Sequence, residues 1–376
     1  MNSQNACAAF VRSGRSPLPQ QCGAPRTLAR TRGATEELEI TMTFALSFRA
    51  PSRTHLAAAA LALTAGLAGS PASAQVFERL IGTPGRDTAE GLRQTRDQGY
   101  VSVGNLLTQQ SPPRLHVIKY RPDGSWDWNT AWGSVGPDQG YSIRQTRADT
   151  YIVAGRTQSF IPALGLGLLH LDPAGGVIFA RTYFGDSAFT DQINFNNTPS
   201  VSVVTVDDAA GDIDFAVATS INQIFGPNFN GQFGQLLRTD FNGNPVFNNA
   251  YLDPQLEGNS LISFTDLRYD RTNDNFVISG TIARRDQPTP GGPAVIRTRM
   301  LFVRTDAAGN VLFAIAYSLP PDATGNSPNL WGDGIDIADN GDVVIEGHSE
   351  LFPGTRSAVV TRLNAGGGPV WTMGFK

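Results

Sequence analysis

Apolar and polar residues follow one another in short runs along this chain, each closed off by Gly, Asp, Asn or Pro. The runs are rich in β-branched and aromatic side chains, which suit a pleated, half-buried surface. One stretch shows the pattern. Gly140–Thr146 is followed by a turn at Arg147–Thr150, then Tyr151–Gly155, a long loop, Gly167–Leu171, a second turn and Val177–Tyr183. Each run predicts a strand, and the set predicts a four-stranded meander. Nothing in residues 75–376 sustains a 3.6-residue period, so helices are not expected. In Leu301-Phe302-Val303 neighbours that point to opposite faces are all apolar, which predicts sheets covered on both sides.

The meander repeats. Its clearest marker is a glycine with an aromatic residue four positions later: Gly124/Trp128, Gly175/Phe179, Gly243/Phe247, Gly309/Phe313 and Gly367/Trp371. Arg121, Asp172, Asp240, Asp306 or Asn364 stands three positions before the glycine. A basic residue, Lys119, His170, Arg238, Arg304 or Arg362, stands five before it. The second strand recurs as Tyr100–Gly104, Tyr151–Gly155, Phe215–Thr219, Phe276–Gly280 and Val343–Gly347, with Thr219 replacing the glycine in the third unit. Self-similarity at intervals of tens of residues marks a repeat architecture. The expected fold is an all-β propeller of about five four-stranded blades, at roughly 83–134, 135–185, 186–252, 253–318 and 319–376; an open β-repeat array is the alternative. Val76–Gly82 reads as a surplus copy of the fourth strand, so ring closure stays open.

The units resemble the delta-60 repeats of secreted bacterial propeller proteins. The resemblance rests on a strand ending Arg-Leu-Asn, two residues, Gly and an aromatic, best kept in Ala358–Trp371 and next in Phe302–Phe313. It covers about residues 76–376 and implies a propeller and an exported protein, but no common enzymatic activity.

The N-terminus changes the picture of the compartment. Arg49 and Arg53 precede an apolar run, Leu56–Gly69, and then Ala72-Ser73-Ala74. That order predicts a secretory signal peptide over 42–74, cleaved after Ala74, and a secreted or periplasmic protein. Residues 1–41 are expected to be an upstream extension, untranslated or disordered. The apolar run is shorter than a membrane-spanning helix requires, so no membrane insertion is expected after cleavage. Both cysteines, Cys7 and Cys22, fall in the discarded part, which excludes disulfides and thiol chemistry from the 302 remaining residues. Cleavage also moves the formal net charge from −4 to −8. An acidic chain without a lysine-rich segment is a poor binder of nucleic acid.

Long loops on a rigid scaffold concentrate binding residues. In a meander the short Asp/Asn/Gly turns lie on one rim and the loops at 105–114, 156–166, 184–199, 220–234, 250–260, 281–299, 318–331 and 348–357 on the other. The long-loop rim is therefore the expected site. Phe184, Phe189, Phe225, Phe229, Trp331 and Phe352 are its candidate ligand-binding residues, with Phe195 and Phe233 beside them. Aromatic faces with amide groups suit a glycan, peptide or protein ligand. The first expectation is a secreted, non-catalytic binding module without a cofactor. The alternatives are an extracellular glycoside hydrolase or lyase and a structural envelope module. For hydrolysis the rim offers Asp186, Asp191, Asp253, Glu257, Asp322 and Asp333, two of which would have to converge. No Gly-x-Ser-x-Gly motif occurs, and no catalytic residue is assigned.

Metal signals are thin. Asp240–Asn244 resembles a calcium loop with a misplaced glycine and reads better as a turn. Asp186, Asp191, Asn194, Asn196 and Asn197 could offer oxygens to Ca²⁺. His116, His170 and His348 lie in different units and form no spaced ligand pair. The recurring basic residues are expected to lock their turns through pairs such as Arg238/Asp240 and Arg304/Asp306.

Overall fold

The computed structural model describes residues 11–12, 87–108, 111–159, 165–183, 201–207, 213–224, 230–252, 261–286, 295–320, 327–350 and 356–375. The surplus strand at Val76–Gly82 lies outside them. After a two-residue strand β1 (Val11–Arg12), twenty strands follow in five groups of four. Blade one is β2 (Thr88–Gln94), β3 (Tyr100–Thr108), β4 (Ser111–Tyr120) and β5 (Trp126–Trp132). Blade two is β6 (Asp138–Gln145), β7 (Tyr151–Thr157), β8 (Gly165–Leu171) and β9 (Val177–Tyr183). Blade three is β10 (Val201–Asp207), β11 (Ile213–Ile224), β12 (Asn230–Thr239) and β13 (Pro245–Leu252). Blade four is β14 (Leu261–Asp270), β15 (Asn275–Asp286), β16 (Val295–Asp306) and β17 (Val311–Tyr317). Blade five is β18 (Asn329–Ile337), β19 (Val343–Glu350), β20 (Arg356–Leu363) and β21 (Pro369–Phe375). Each blade is an antiparallel meander, as the hydrophobic pattern predicts. Blades three and four also share one parallel bridge, Gln232 to Leu261, and β1 pairs with the edge of β13. Among the described residues no helix is long and apolar enough to cross a membrane.

The recurring turn is a backbone requirement. Gly124, Gly175, Gly243, Gly309 and Gly367 all have φ between +76° and +84°, which side-chain-bearing residues adopt only with strain. The Asp three positions earlier accepts the turn's own N–H groups: Asp240 Oδ1 takes those of Asn242 (2.9 Å) and Asn244 (2.7 Å). Its carboxylate is thus occupied by the turn, as the turn reading of Asp240–Asn244 requires. Arg121 cannot do this in blade one, and Asp123 accepts from Ser125 N–H instead (2.9 Å).

The basic residues do not pair within their own turns. Lys119, His170 and Arg304 are buried, and each reaches across to the hairpin between strands one and two. Lys119 Nζ meets Asp97 (2.7 Å), Arg238 meets Asp214 (2.8 Å), Arg304 approaches Asp270 (3.8 Å) and Arg362 meets Asp342 (2.6 Å). The expected Arg238/Asp240 and Arg304/Asp306 pairs are absent because the turn amides already claim those aspartates. In blade two both partners change together, and neutral His170 hydrogen-bonds Thr150 (2.7 Å).

Three of the expected long loops are in large part paired strand. In the described parts of 105–114, 220–234 and 281–299 the second and third strands continue outward as pairs, as far as Ile224 with Asn230 in blade three and Asp286 with Val295 in blade four. Polar residues and glycines there suggested loop, but backbone pairing does not depend on an apolar face.

Between consecutive blades sits one apolar cluster each. Val103, Val117 and Ile143 join blades one and two; Ile152, Val203 and Phe215 join two and three. Leu236, Phe264 and Leu301 join three and four, and Phe302, Ile335 and Ile345 join four and five. The outer strand of each blade also docks on the next blade's turn. A Cβ on Gly175 would lie 2.6 Å from the Trp128 ring; on Gly243, 2.8 Å from Phe179; on Gly309, 2.8 Å from Phe247; on Gly367, 2.9 Å from Phe313. Tyr183 and Tyr251 donate to the carbonyls of Gly243 (2.6 Å) and Gly309 (2.8 Å), and Tyr317 donates to that of Gly367. On the same face of blade five, Phe375 at the tyrosine position and its neighbour Met373 are 54% and 52% exposed.

Candidate functional site

The first strand of each blade is the innermost, and four of the five carry a bulge at the same place. In β2 the register skips Glu90, in β6 Tyr141, in β14 Thr265 and in β18 Asp333. An extra residue in one strand bends it and re-aims its side chain. The bulge brings the inner backbone close over the second strand, and only glycine fits there. A Cβ would fall 1.8 Å from Thr88 O at Gly104, 2.0 Å from Gln139 O at Gly155, 2.1 Å from Ser263 O at Gly280 and 1.9 Å from Trp331 O at Gly347. Blade three has Thr219 at this position, and there β10 runs in unbroken register from Val201 to Asp207. The divergent residue and the missing bulge are one event.

The four bulge residues, Glu90, Tyr141, Thr265 and Asp333, line a cavity of about 250 Å³ to which all five inner strands contribute. Ser142, Ser202 and Asp266 stand one residue further along, and Arg93 and Arg144 two residues beyond those. Glu346, on β19, completes the carboxylates: a Cβ on Gly334 would be 2.5 Å from its Oε1, so the glycine makes room for it. The volume is at the small end of ligand pockets, which run to about 300–1,000 Å³ for drug-sized molecules, and suits one residue of a longer ligand.

Two local networks set the electrostatics. His348 Nδ1–H donates to Asp333 Oδ2 (2.7 Å), and the imidazole stacks on Trp331 with centroids 4.8 Å apart and planes within 9°. Asp266 accepts from Ser202 Oγ (2.7 Å) and Arg268 Nη1 (2.8 Å) and also faces the N–H of Ile335 (3.3 Å). Burial, with Arg93 and Arg268 nearby, pushes the Arg144 guanidinium down to about 9, against the opposing pull of Asp266. Burial likewise raises the Tyr141 phenol. Among the described residues no group of three or more His, Cys, Asp or Glu side chains is placed to hold a metal ion.

Of the aromatic candidates, Trp331 is described and lies beside this cavity through His348. Phe233 is buried at 2% exposure. Phe184, Phe189, Phe195, Phe225, Phe229 and Phe352 lie outside the described residues, as do Asp186, Asp191, Asn194, Asn196, Asn197, Asp253, Glu257 and Asp322. Asp333 is the one expected carboxylate that the structure describes. Glu90, Glu346, Asp266, Arg93 and Arg144 were missed because they sit inside strands rather than loops. A signal was present: Leu92-Arg93, Ile143-Arg144 and Leu267-Arg268 place an arginine after an aliphatic residue in three inner strands at one register.

No family model and no curated protein matches the chain. Solved structures resemble it at the level of fold. The α-L-arabinanase of Penicillium chrysogenum aligns with 74% of this chain and 89% of its own at 10% identity, TM-score 0.44. A thermostable family-43 glycoside hydrolase aligns with 77% and 93% at 10% identity, TM-score 0.37. Drosophila Semaphorin 2a aligns with 77% of this chain at 9% identity, TM-score 0.46, and this chain spans 51% of its length. Of the plexin A4 extracellular region it spans 31%.

The expectation of a non-catalytic binding module is corrected here. Glu90, Asp266, Asp333 and Glu346 line one cavity rather than lying scattered over a loop rim.

Proposed function

We propose that this chain cleaves glycosidic bonds, with the bulge-lined channel as its active site. The observation that carries the reading is the delivery of Glu90, Asp333 and Glu346 to one cavity by bulges and a matching glycine. Hydrolysis of a glycoside needs one carboxyl group to protonate the leaving oxygen and a second to act as nucleophile or to activate water. Asp333 has the better-defined setting. Its bulge fixes the backbone, and His348, itself held against Trp331, orients its carboxylate. Glu346 and Glu90 flank it from β19 and from blade one, so the sugar would lie between blades five and one. Tyr141, Thr265 and Ser142 supply hydroxyls for the ring substituents. The chemistry calls for water and carboxylates alone, and turnover is expected to survive chelation by EDTA.

The reading includes export: Ala74 is the proposed cleavage point, and Edman sequencing of secreted protein should begin at Gln75. The activity is tested by incubating the purified chain with a panel of polysaccharides and measuring new reducing ends. Substitution of an acid–base group typically costs about 10²–10⁴-fold in rate. Asp333→Asn and Glu346→Gln should each fall in that range while remaining folded. Turnover that ignores all three carboxylates would remove the channel from consideration.

A further inference from the structure

Beneath the carboxylates the channel changes sign. Arg93, Arg144 and Arg268 occupy the same register position of β2, β6 and β14, two residues past the bulge-following residue. Each folds back so that Nη1 donates to the carbonyl of the preceding residue: Leu92 (3.0 Å), Ile143 (2.9 Å) and Leu267 (3.0 Å). Three like charges at one level repel one another; Asp266 pulls on Arg93 and Arg144 from a distance, but the direct ion pair goes to Arg268 alone among the three. Arg268 pairs with Asp266 (2.8 Å) and faces Asp336 (3.5 Å). Among the described residues neither Arg93 nor Arg144 is paired with a carboxylate, and both line the cavity. Each keeps most of its five N–H donors for something else.

We infer that Arg93 and Arg144 bind the carboxylate of an acidic sugar, so that the glycan cleaved in this channel is one containing uronic acid. The inference rests on the cleavage reading above and adds the substrate class. Geometry supports it. The arginines lie two strand residues, about 7 Å, along the channel from the residues next to the bulges. That interval accommodates one pyranose ring, with its exocyclic carboxylate at the arginine level and its glycosidic oxygen near Asp333 and Glu346. Planar guanidinium groups match a carboxylate through paired hydrogen bonds, which a neutral hydroxymethyl group cannot reciprocate. Burial first, and then Arg93 and Arg268, lower the Arg144 guanidinium, and a bound anion offsets both where a neutral sugar does not.

The test is calorimetric binding of trigalacturonate and of its fully methyl-esterified form to the full chain, at low salt, using Asp333→Asn to stop cleavage. The free acid should bind at least about tenfold tighter than the ester, a difference expected of a charge-assisted contact. Arg144→Gln and Arg93→Gln should each abolish that preference. Arg93 is exposed, so its variant retains the fold even if Arg144→Gln does not, and Arg144→Lys keeps charge while losing the fork. Equal binding of acid and ester overturns the inference, as does a preference that survives both arginine variants. Sodium sulfate competing as strongly as trigalacturonate also overturns it, because the level would then be a general anion site. Failure here is separable from failure of the cleavage reading: reducing-end release from neutral glycans with no acid preference sinks the substrate class and leaves the activity standing.

Discussion

At the residue scale, one glycine per blade decides whether the inner strand can bulge. Gly347 ties this steric condition to the proposed activity, because the bulge it permits presents Asp333 to the cavity. Alanine there would bring Cβ to 1.9 Å from Trp331 O, so the backbone must move. Overpacking of this kind costs about 1–3 kcal/mol. Gly347→Ala should therefore lower Tm and depress turnover together, measured by calorimetry and reducing-end release on one preparation. His170 makes a second residue-level prediction. Its ring is enclosed by Phe179, Phe215 and Phe241 at 5.2, 5.0 and 4.7 Å, and burial lowers the imidazole to about 4. Below about pH 6.5 the unfolded chain takes up this proton while the folded chain does not. Stability is thus complete above about 6.5, declines between about 6.5 and 4, and levels off below, by roughly 3 kcal/mol in all. Denaturant midpoints across that range should show the decline in the native chain and lose this part of it in His170→Gln.

At the scale of elements, the strands and hairpins were legible in the residues while the site was not. Tyr151–Gly155 and Val177–Tyr183 announce themselves through apolar runs bounded by turn formers, and β7 and β9 begin at those same residues. A bulge leaves no such trace. Glu90 and Asp333 look like ordinary polar positions of a half-covered strand until the register beside Gly104 and Gly347 is known. Thr219 was visible as a departure, but its meaning required the unbroken pairing of β10. The contact between blades is an element-level device as well. Tyr251 and Asn249 both donate to Gly309 O, at 2.8 and 3.1 Å. Tyr251→Phe leaves the carbonyl one partner and should cost about 1 kcal/mol, whereas Tyr251→Ala also empties the space beside Phe264 and should cost about 3–5 kcal/mol. Urea titration of the two variants separates these terms.

At the scale of the whole molecule, all five inner strands contribute to one cavity, and charged and hydroxyl side chains gather where those strands meet. The repeat is regular where it must pack and irregular where it lines the cavity: glutamate, tyrosine, threonine and aspartate occupy the four bulges. The last blade differs in another way, since the face that docks on a neighbour elsewhere is half exposed at Met373 and Phe375. Substituting either by lysine should change stability by less than about 0.5 kcal/mol, as for other surface positions. The central claim is that the channel carboxylates cleave glycans, and the most direct measurement is reducing-end release by the native chain and by Asp333→Asn, each shown by calorimetry to be equally folded. The account predicts turnover by the native chain and a loss of about 10²-fold or more in the variant. Equal turnover in the two proteins would contradict it.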